Sequence, residues 1–190
     1  RSRVEFRVVS GILRGDPAAW GEIEDWCRAA SVARALRSSR IGFLGHTYPG
    51  MLDMYSDFTM AHAQLGAHIE VLEMCDLAKR VEAVSADQVQ ANIKVARDVF
   101  ELADSVTAEN LEWAARVACG LDRLVADFAL DGLTYYYRGL DGNEYERLGA
   151  GLILGNSLLT AHGIPASGEG DLKTCAAMMI MDRFQAGGSY

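Results

Sequence analysis

The feature that most constrains the fold is an alternation of short apolar segments with longer stretches of helical spacing. Three segments, 40–45, 69–74 and 133–137, have the length and the β-favouring residues of strands. The connections between them are long enough for crossovers, so neighbouring strands can run parallel. The sequence therefore predicts an α/β fold, a three-layer αβα sandwich with a mainly parallel, Rossmann-like sheet that is covered on both faces.

Capping residues set the helix boundaries. Asp16 followed by Pro17 predicts a helix start, since Asp caps the first turn and Pro has a helical φ. Ser85 and Gln88 form a capping box. These signals and the apolar spacing predict helices over 17–37, 57–66, from 85, from 107, up to 163, and over 172–185.

Charge and cysteine usage exclude several classes of protein. The 190 residues carry 26 acidic and 18 basic side chains, a net charge of −8, which argues against a nucleic-acid surface. No apolar run is long enough for a membrane span, and no secretory leader starts the chain, so we expect a cytoplasmic protein. The cysteines at 27, 75, 119 and 175 form no C-x-x-C pair, which favours free thiols.

Both ends of the sequence suggest a larger parent protein. Residues 4–9 alternate like a strand directly after Arg1, and the chain stops at Gly-Gly-Ser-Tyr. We expect residues 1–39 to be an N-terminal strand and helix leading in from a missing domain. Residues 40–190 then form an α/β domain that is truncated at its C-terminal end.

Three loops are candidates for a binding site. In parallel sheets the ligand crevice lies beyond the carboxyl ends of the strands, and loops 46–57, 138–143 and 168–170 occupy that position in the prediction. The sequence therefore predicts that Met51, Tyr137 and Glu169 lie near one another. Gly168 and Gly170 flank Glu169, and glycine allows positive φ angles or close backbone approach.

The chemistry of these loops points most directly to a cation. The sequence contains no G-x-G-x-x-G, Walker A or G-x-S-x-G motif. A glutamate suits a hard divalent ion such as Mn²⁺ or Mg²⁺, although one carboxylate makes an incomplete site. His46 is the histidine best placed to contact a ligand. An ordinary loop capped by Asp171 explains the Glu169 motif equally well, and core packing is at least as good an explanation for Tyr137.

Four motifs resemble the L-fucose isomerase and L-arabinose isomerase group of sugar isomerases. They are GHTYPGMLDMYSD, LGAHIEVLEMCDL, GLTYYYRG and, as the most specific, GEGDLKT, and they occur in the family's order from about Phe6 onward. The resemblance implies a metal-dependent aldose–ketose isomerase that uses Mn²⁺ or another divalent ion. It implies that Glu169 is a metal ligand and one of two acid/base carboxylates, and that Met51 and Tyr137 line the sugar pocket.

The resemblance also implies that residues 40–190 are the middle domain of a longer isomerase, and that parts of the active site lie outside this chain. The second acid/base glutamate and the histidine ligands would follow Tyr190, and a domain that contacts the sugar would precede Arg1. The intact protein would then be a homo-oligomer, and the fragment alone would be inactive. Two alternatives stay open: a non-catalytic sugar-binding or regulatory module, and a structural fragment whose apolar face meets missing domains.

Overall fold

A single parallel sheet forms the centre of the molecule. The computed structural model describes residues 6–138 and 143–188. The strands found there are β1 Arg40–Gly45, β2 His68–Leu72, β3 Gly132–Tyr136 and β4 Ala166–Ser167. All pairings are parallel and the strand order is β2-β1-β3-β4. β2 and β3 lie on opposite sides of β1. In open parallel sheets, ligands bind beyond the carboxyl ends of the strands at such a reversal of strand order.

Helices cover both faces of this sheet, which confirms the predicted three-layer α/β sandwich. They are α1 Pro17–Arg37, α2 Phe58–Leu65, α3 Met74–Glu82, α4 Ala86–Val99, α5 Ala108–Phe128, α6 Glu144–Ala161 and α7 Leu172–Arg183. No helix in the described part of the chain combines the length and the apolar character needed to cross a bilayer.

Two apolar cores hold the layers together. Side chains of α3, α5 and α6 pack on one face of the sheet, around the fully buried Leu44, Leu121 and Leu133. Side chains of α1, α2 and α7 pack on the other face, around Ile41 and Leu172. Helix α4 lies outside α5 and closes a smaller third cluster. Burial of each such side chain stabilises the fold by about 1.5–3 kcal/mol relative to an exposed one.

The first helix is only half attached to this body. Asp16 caps it as predicted, and its amide partner is Ala19 at 3.1 Å. Along α1 only Val32 and Leu36 are buried. Trp20 and Trp26 remain 48% and 51% exposed, so the N-terminal half of α1 extends away from the sheet.

Three local predictions differ from the structure. The strand expected to reach Met74 ends at Leu72, because Glu73 and Asp76 form a capping box that starts α3. The short strand β4 was not predicted. Residues 6–9 form no strand, and Phe6 and Val8 are exposed, while the rest of that predicted strand lies outside the described residues.

Candidate active site

Two loops meet at the carboxyl ends of β1, β3 and β4. The Tyr48 amide donates to the Glu169 carbonyl oxygen at 2.9 Å, and the Gly170 amide donates to the Tyr135 carbonyl oxygen at 2.9 Å. The His46 amide donates to the Tyr136 carbonyl oxygen at 3.0 Å. These backbone bonds join the loop after β4 to the loop after β1 and to the end of β3, as the sequence predicted for the rim of a parallel sheet.

Gly170 makes this contact possible because a side chain would not fit. It has a φ of +67°, and a Cβ atom built there would lie 2.4 Å from the His46 carbonyl oxygen and 2.7 Å from Thr47 Cα. Both atoms belong to backbone, so neither can rotate away. The sequence alone indicated close approach or positive φ at this glycine, and the structure has both.

Glu169 itself adopts an unusual backbone conformation. Its φ is +63°, whereas Gly168 has no positive φ, so the strained residue is the glutamate between the glycines. A left-handed non-glycine residue costs about 1–2 kcal/mol, and such residues cluster at functional sites. The side chain is partly buried, and within the described ranges its carboxylate has no hydrogen bond or ion pair.

The residues after Glu169 fix the loop from below. Asp171 caps α7, accepting from the amides of Lys173 at 3.0 Å and Thr174 at 3.1 Å and from the Thr174 hydroxyl at 2.7 Å. The buried Ser167 hydroxyl donates to the Asp171 carbonyl oxygen at 3.0 Å. Asp171 is therefore an N-cap, as the simpler interpretation of the motif held, and this role leaves Glu169 free for another.

Four rings next to this loop, those of His46, Tyr48, Tyr136 and Tyr137, contact one another and are called the aromatic wall below. The His46 ring centroid lies 5.2 Å from that of Tyr136 and 6.0 Å from that of Tyr137, and Tyr48 lies 4.8 Å from Tyr136. Tyr137 also meets Tyr145 edge-on at 6.0 Å and packs against the core. His46 and Tyr137 are thus brought together, and Tyr137 has a packing role as well. Tyr48 and Tyr136 were not singled out from the sequence.

Met51 lies in the same loop as His46, at the start of a short 3-10 turn, Leu52–Met54. Its side chain is 37% exposed. The Lys173 ammonium donates to the carbonyl oxygens of Asp53 and, at 3.3 Å, Tyr55. Lys173 belongs to the quoted GEGDLKT motif, but nothing in that motif indicates a partner 120 residues away in sequence.

The remaining histidines lie elsewhere. The His62 ring contacts the Ala67 carbonyl oxygen at the end of α2, His68 contacts Glu70 at the start of β2, and His162 follows the last turn of α6. Across 6–138 and 143–188, no group of three His, Cys, Asp or Glu side chains could hold a metal ion. The loop predicted over 138–143 lies mostly outside the described residues, since 139–142 are not described.

Cys175 lies one helical turn after Asp171 and is unreactive. Cys175 is fully buried, and this burial raises the pKa of its thiol to about 12. The reactive form of cysteine is the thiolate. Cys175 is therefore a packing residue of α7 and no nucleophile at neutral pH.

Comparisons with known proteins agree on one family. Residues 55–187 match the model of the L-arabinose isomerase central domain. Tyr137, Glu169 and Lys173 lie inside this match, whereas His46 and Met51 precede it.

Curated relatives cover the whole chain. An L-arabinose isomerase of Shewanella baltica is 26% identical over 95% of this chain and 36% of its own length. Those of Acidothermus cellulolyticus and Mycolicibacterium smegmatis are each 28% identical, over 100% and 98% of this chain. The chain spans 36–38% of the length of these relatives. With more than half of its residues matched by the family model, the chain belongs to the L-arabinose isomerase central-domain family.

Proposed function

We propose that this chain is the central part of an aldose–ketose isomerase that acts on L-arabinose or a closely related sugar. Family membership and the names of the relatives support this proposal. The observation that carries it is the Glu169 carboxylate, which has no hydrogen bond or ion pair within the described residues and belongs to a strained, tightly bonded loop at the carboxyl ends of the strands.

Glu169 would hold one position of a divalent metal site, with Mn²⁺ as the proposed ion. A carboxylate without a protein partner keeps its oxygen lone pairs for a hard cation, so the residue fits this use. One carboxylate does not complete a site, and the further ligands would come from parts of the protein outside this chain. The bound ion would polarise the sugar carbonyl and the neighbouring hydroxyl.

The reaction requires proton movement beside that carboxylate. When an aldose becomes a ketose, the hydrogen on C2 moves to C1 and the hydroxyl proton on O2 moves to O1. Glu169 would accept a proton and return it, in partnership with a second carboxylate from outside this chain. The strained backbone at Glu169 is held by the Tyr48 and Gly170 contacts, which would keep the carboxylate in one orientation throughout.

The aromatic wall and Met51 would bind the sugar. The His46 and Tyr137 ring centroids lie 6.0 Å apart, and each side chain combines apolar carbon with a polar atom, a combination that suits the alternating C–H and hydroxyl groups of a sugar. Met51 is partly exposed in the same loop and would supply an apolar contact. We assign substrate contact to these residues and metal ligation to Glu169.

The test uses the full-length protein that contains this chain. Glu169→Gln should lower kcat for L-arabinose by about a thousandfold and weaken Mn²⁺ binding by at least about tenfold in calorimetry after chelation. Glu101→Gln, at an exposed glutamate outside the site, is the matched control and should change neither. Full activity and unaltered Mn²⁺ affinity in the Glu169 variant would refute the proposal.

Assays of the full-length protein also distinguish the proposed isomerase from the alternative function. Sugar binding without any conversion, whatever the metal supplied, would favour a non-catalytic sugar-binding module.

The proposal further includes a cytoplasmic homo-oligomer. Sedimentation of the full-length protein measures the assembly directly, and a monomer at micromolar concentration would remove that part.

A further inference from the structure

We propose that Lys173 is a positioning residue of this site: its ammonium group holds the turn at residues 51–55 against the start of α7. This inference rests on the proposed isomerase function, since it assigns Lys173 to the geometry of the sugar pocket. It adds a residue that neither touches the metal nor enters the reaction. Its role is to fix the position of Met51 relative to Glu169.

The contact has the geometry of a cation at the end of a helical turn. Lys173 lies in the first turn of α7, and its Nζ donates to the carbonyl oxygens of Asp53 and Tyr55. These oxygens lie at the carboxyl end of the 3-10 turn Leu52–Met54, where backbone carbonyls carry partial negative charge. Hydrogen bonds with an ionised donor are stronger than neutral ones.

The turn has little else to hold it. Leu52 is 80% exposed and Tyr55 is 52% exposed, so the turn buries little apolar surface. Its other hydrogen bonds in the described structure are local: the Met54 amide donates to the Met51 carbonyl oxygen, the Tyr55 amide to the Leu52 carbonyl oxygen, and the Ser56 hydroxyl to the Met54 carbonyl oxygen. Within the described residues, then, Lys173 provides the hydrogen bonds that connect this turn to a distant element.

Two anchors therefore bracket Met51. On its N-terminal side the Tyr48 amide bonds the Glu169 carbonyl oxygen, and on its C-terminal side Lys173 bonds the turn. Both anchors belong to the segment that starts at Glu169 and runs into α7. Loss of Lys173 would release the turn with Met51, while Tyr48 and Gly170 would still hold Glu169 in place.

This asymmetry predicts a split between sugar binding and catalysis. Lys173→Met keeps the aliphatic stem and removes the charge. In the full-length protein it should raise KM for L-arabinose about tenfold or more, since it removes the charge-assisted hydrogen bonds to two carbonyl oxygens. The value of kcat and the Mn²⁺ affinity should stay within about threefold of wild type.

Two further variants complete the design. Lys173→Arg keeps a cation that can donate to both carbonyl oxygens, so its KM should lie closer to wild type than that of Lys173→Met. Lys94→Met removes an exposed lysine of α4 that has no hydrogen bond or ion pair in the described structure, and it should behave as wild type.

Amide hydrogen exchange gives a measurement that does not depend on activity. In Lys173→Met the amides of residues 54 and 55 should exchange faster, while the Tyr48 and Gly170 amides keep their protection. Unchanged exchange at 54 and 55, or a KM equal to that of wild type in an active enzyme, would overturn the assignment. If the full-length protein isomerises no sugar, the proposed function fails, and faster exchange would leave the contact itself demonstrated.

Discussion

Carboxylates at the two ends of the sheet differ in their hydrogen-bond and ion-pair partners. At the amino end, Glu70 accepts from the Arg40 guanidinium and lies 3.1 Å from His68 Nε2. Asp131 accepts from the Arg40 backbone amide at 2.9 Å. At the carboxyl end, Glu169 is partly buried too, yet its carboxylate has no partner in the described part of the chain.

This difference is the one expected if Glu70 and Asp131 serve the structure and Glu169 serves the proposed ligand site. Removing a carboxylate from water without a compensating partner is unfavourable, so a fold retains one only when something else benefits. The amino-end cluster fixes where β1, β2 and β3 begin. At the carboxyl end the backbone around Glu169 is tightly bonded, while its carboxylate has no partner among the described residues and would be available to a ligand.

Gly170→Ala should be the most damaging change at the carboxyl end. The new Cβ would meet backbone atoms of His46 and Thr47 while φ is positive, so we expect a loss of about 3 kcal/mol in the free energy of unfolding. Gly50→Ala is the matched control, because Gly50 also has a positive φ but no atom lies within 4 Å of its built Cβ. It should cost about 1 kcal/mol. Equal losses in urea denaturation would mean that the two loops are not in contact.

Asp171→Ala tests the support beneath Glu169. It removes three accepted hydrogen bonds at the start of α7 and should lower the free energy of unfolding by about 1–2 kcal/mol. Asp171→Asn keeps an acceptor and should lose much less. Thermal denaturation of the two variants measures the difference, and identical midpoints would show that the cap contributes nothing.

Removing a carboxylate charge should lower the stability at the amino end of the sheet but not at the carboxyl end. Glu70→Gln weakens a partly exposed ion pair and should cost about 1 kcal/mol of stability. Glu169→Gln removes no hydrogen bond or ion pair within residues 6–138 and 143–188, so metal-free stability should not fall. A loss of stability in Glu169→Gln as large as that in Glu70→Gln would remove the contrast between structural and functional carboxylates.

The sequence predicted the strongly patterned elements well. The strand at 40–45 and the start of α1 have the predicted bounds, because an apolar run ended by Gly and an Asp-Pro pair leave few other structures. Helix α3 was missed because the alternation up to Met74 continues the β pattern through its capping box. The strand β4 is two residues long, too short for any periodicity to show.

The site was predicted by position more than by contact. Strand-end topology brought the Glu169 loop and the His46 loop together, and the structure confirms their meeting. The left-handed backbone of Glu169 and the Lys173 contact could not be predicted, since both depend on packing between segments far apart in sequence. The metal and sugar roles stay predictions.

Asp57 gives the smallest and most local test of what a partnered carboxylate contributes to stability. It precedes α2, and its carboxylate accepts hydrogen bonds, whereas the Glu169 carboxylate has none among the described residues. Hydrogen bonds from the Thr59 hydroxyl, then from the Met60 and Thr59 amides, lower the pKa of Asp57, against a smaller opposing effect of desolvation. A lowered folded-state pKa gives stability that is present above the unfolded-state pKa of about 3.9 and is lost as pH falls through the folded-state pKa. The stability advantage of wild type over Asp57→Asn should therefore be constant near neutral pH and shrink in acid. Thr59→Val removes the largest cause of the shift, so it should weaken this pH dependence. If the stability advantage did not change with pH, the Asp57 cap would act without its charge. Ionisation of Asp57 would then not contribute to the stability of the protein.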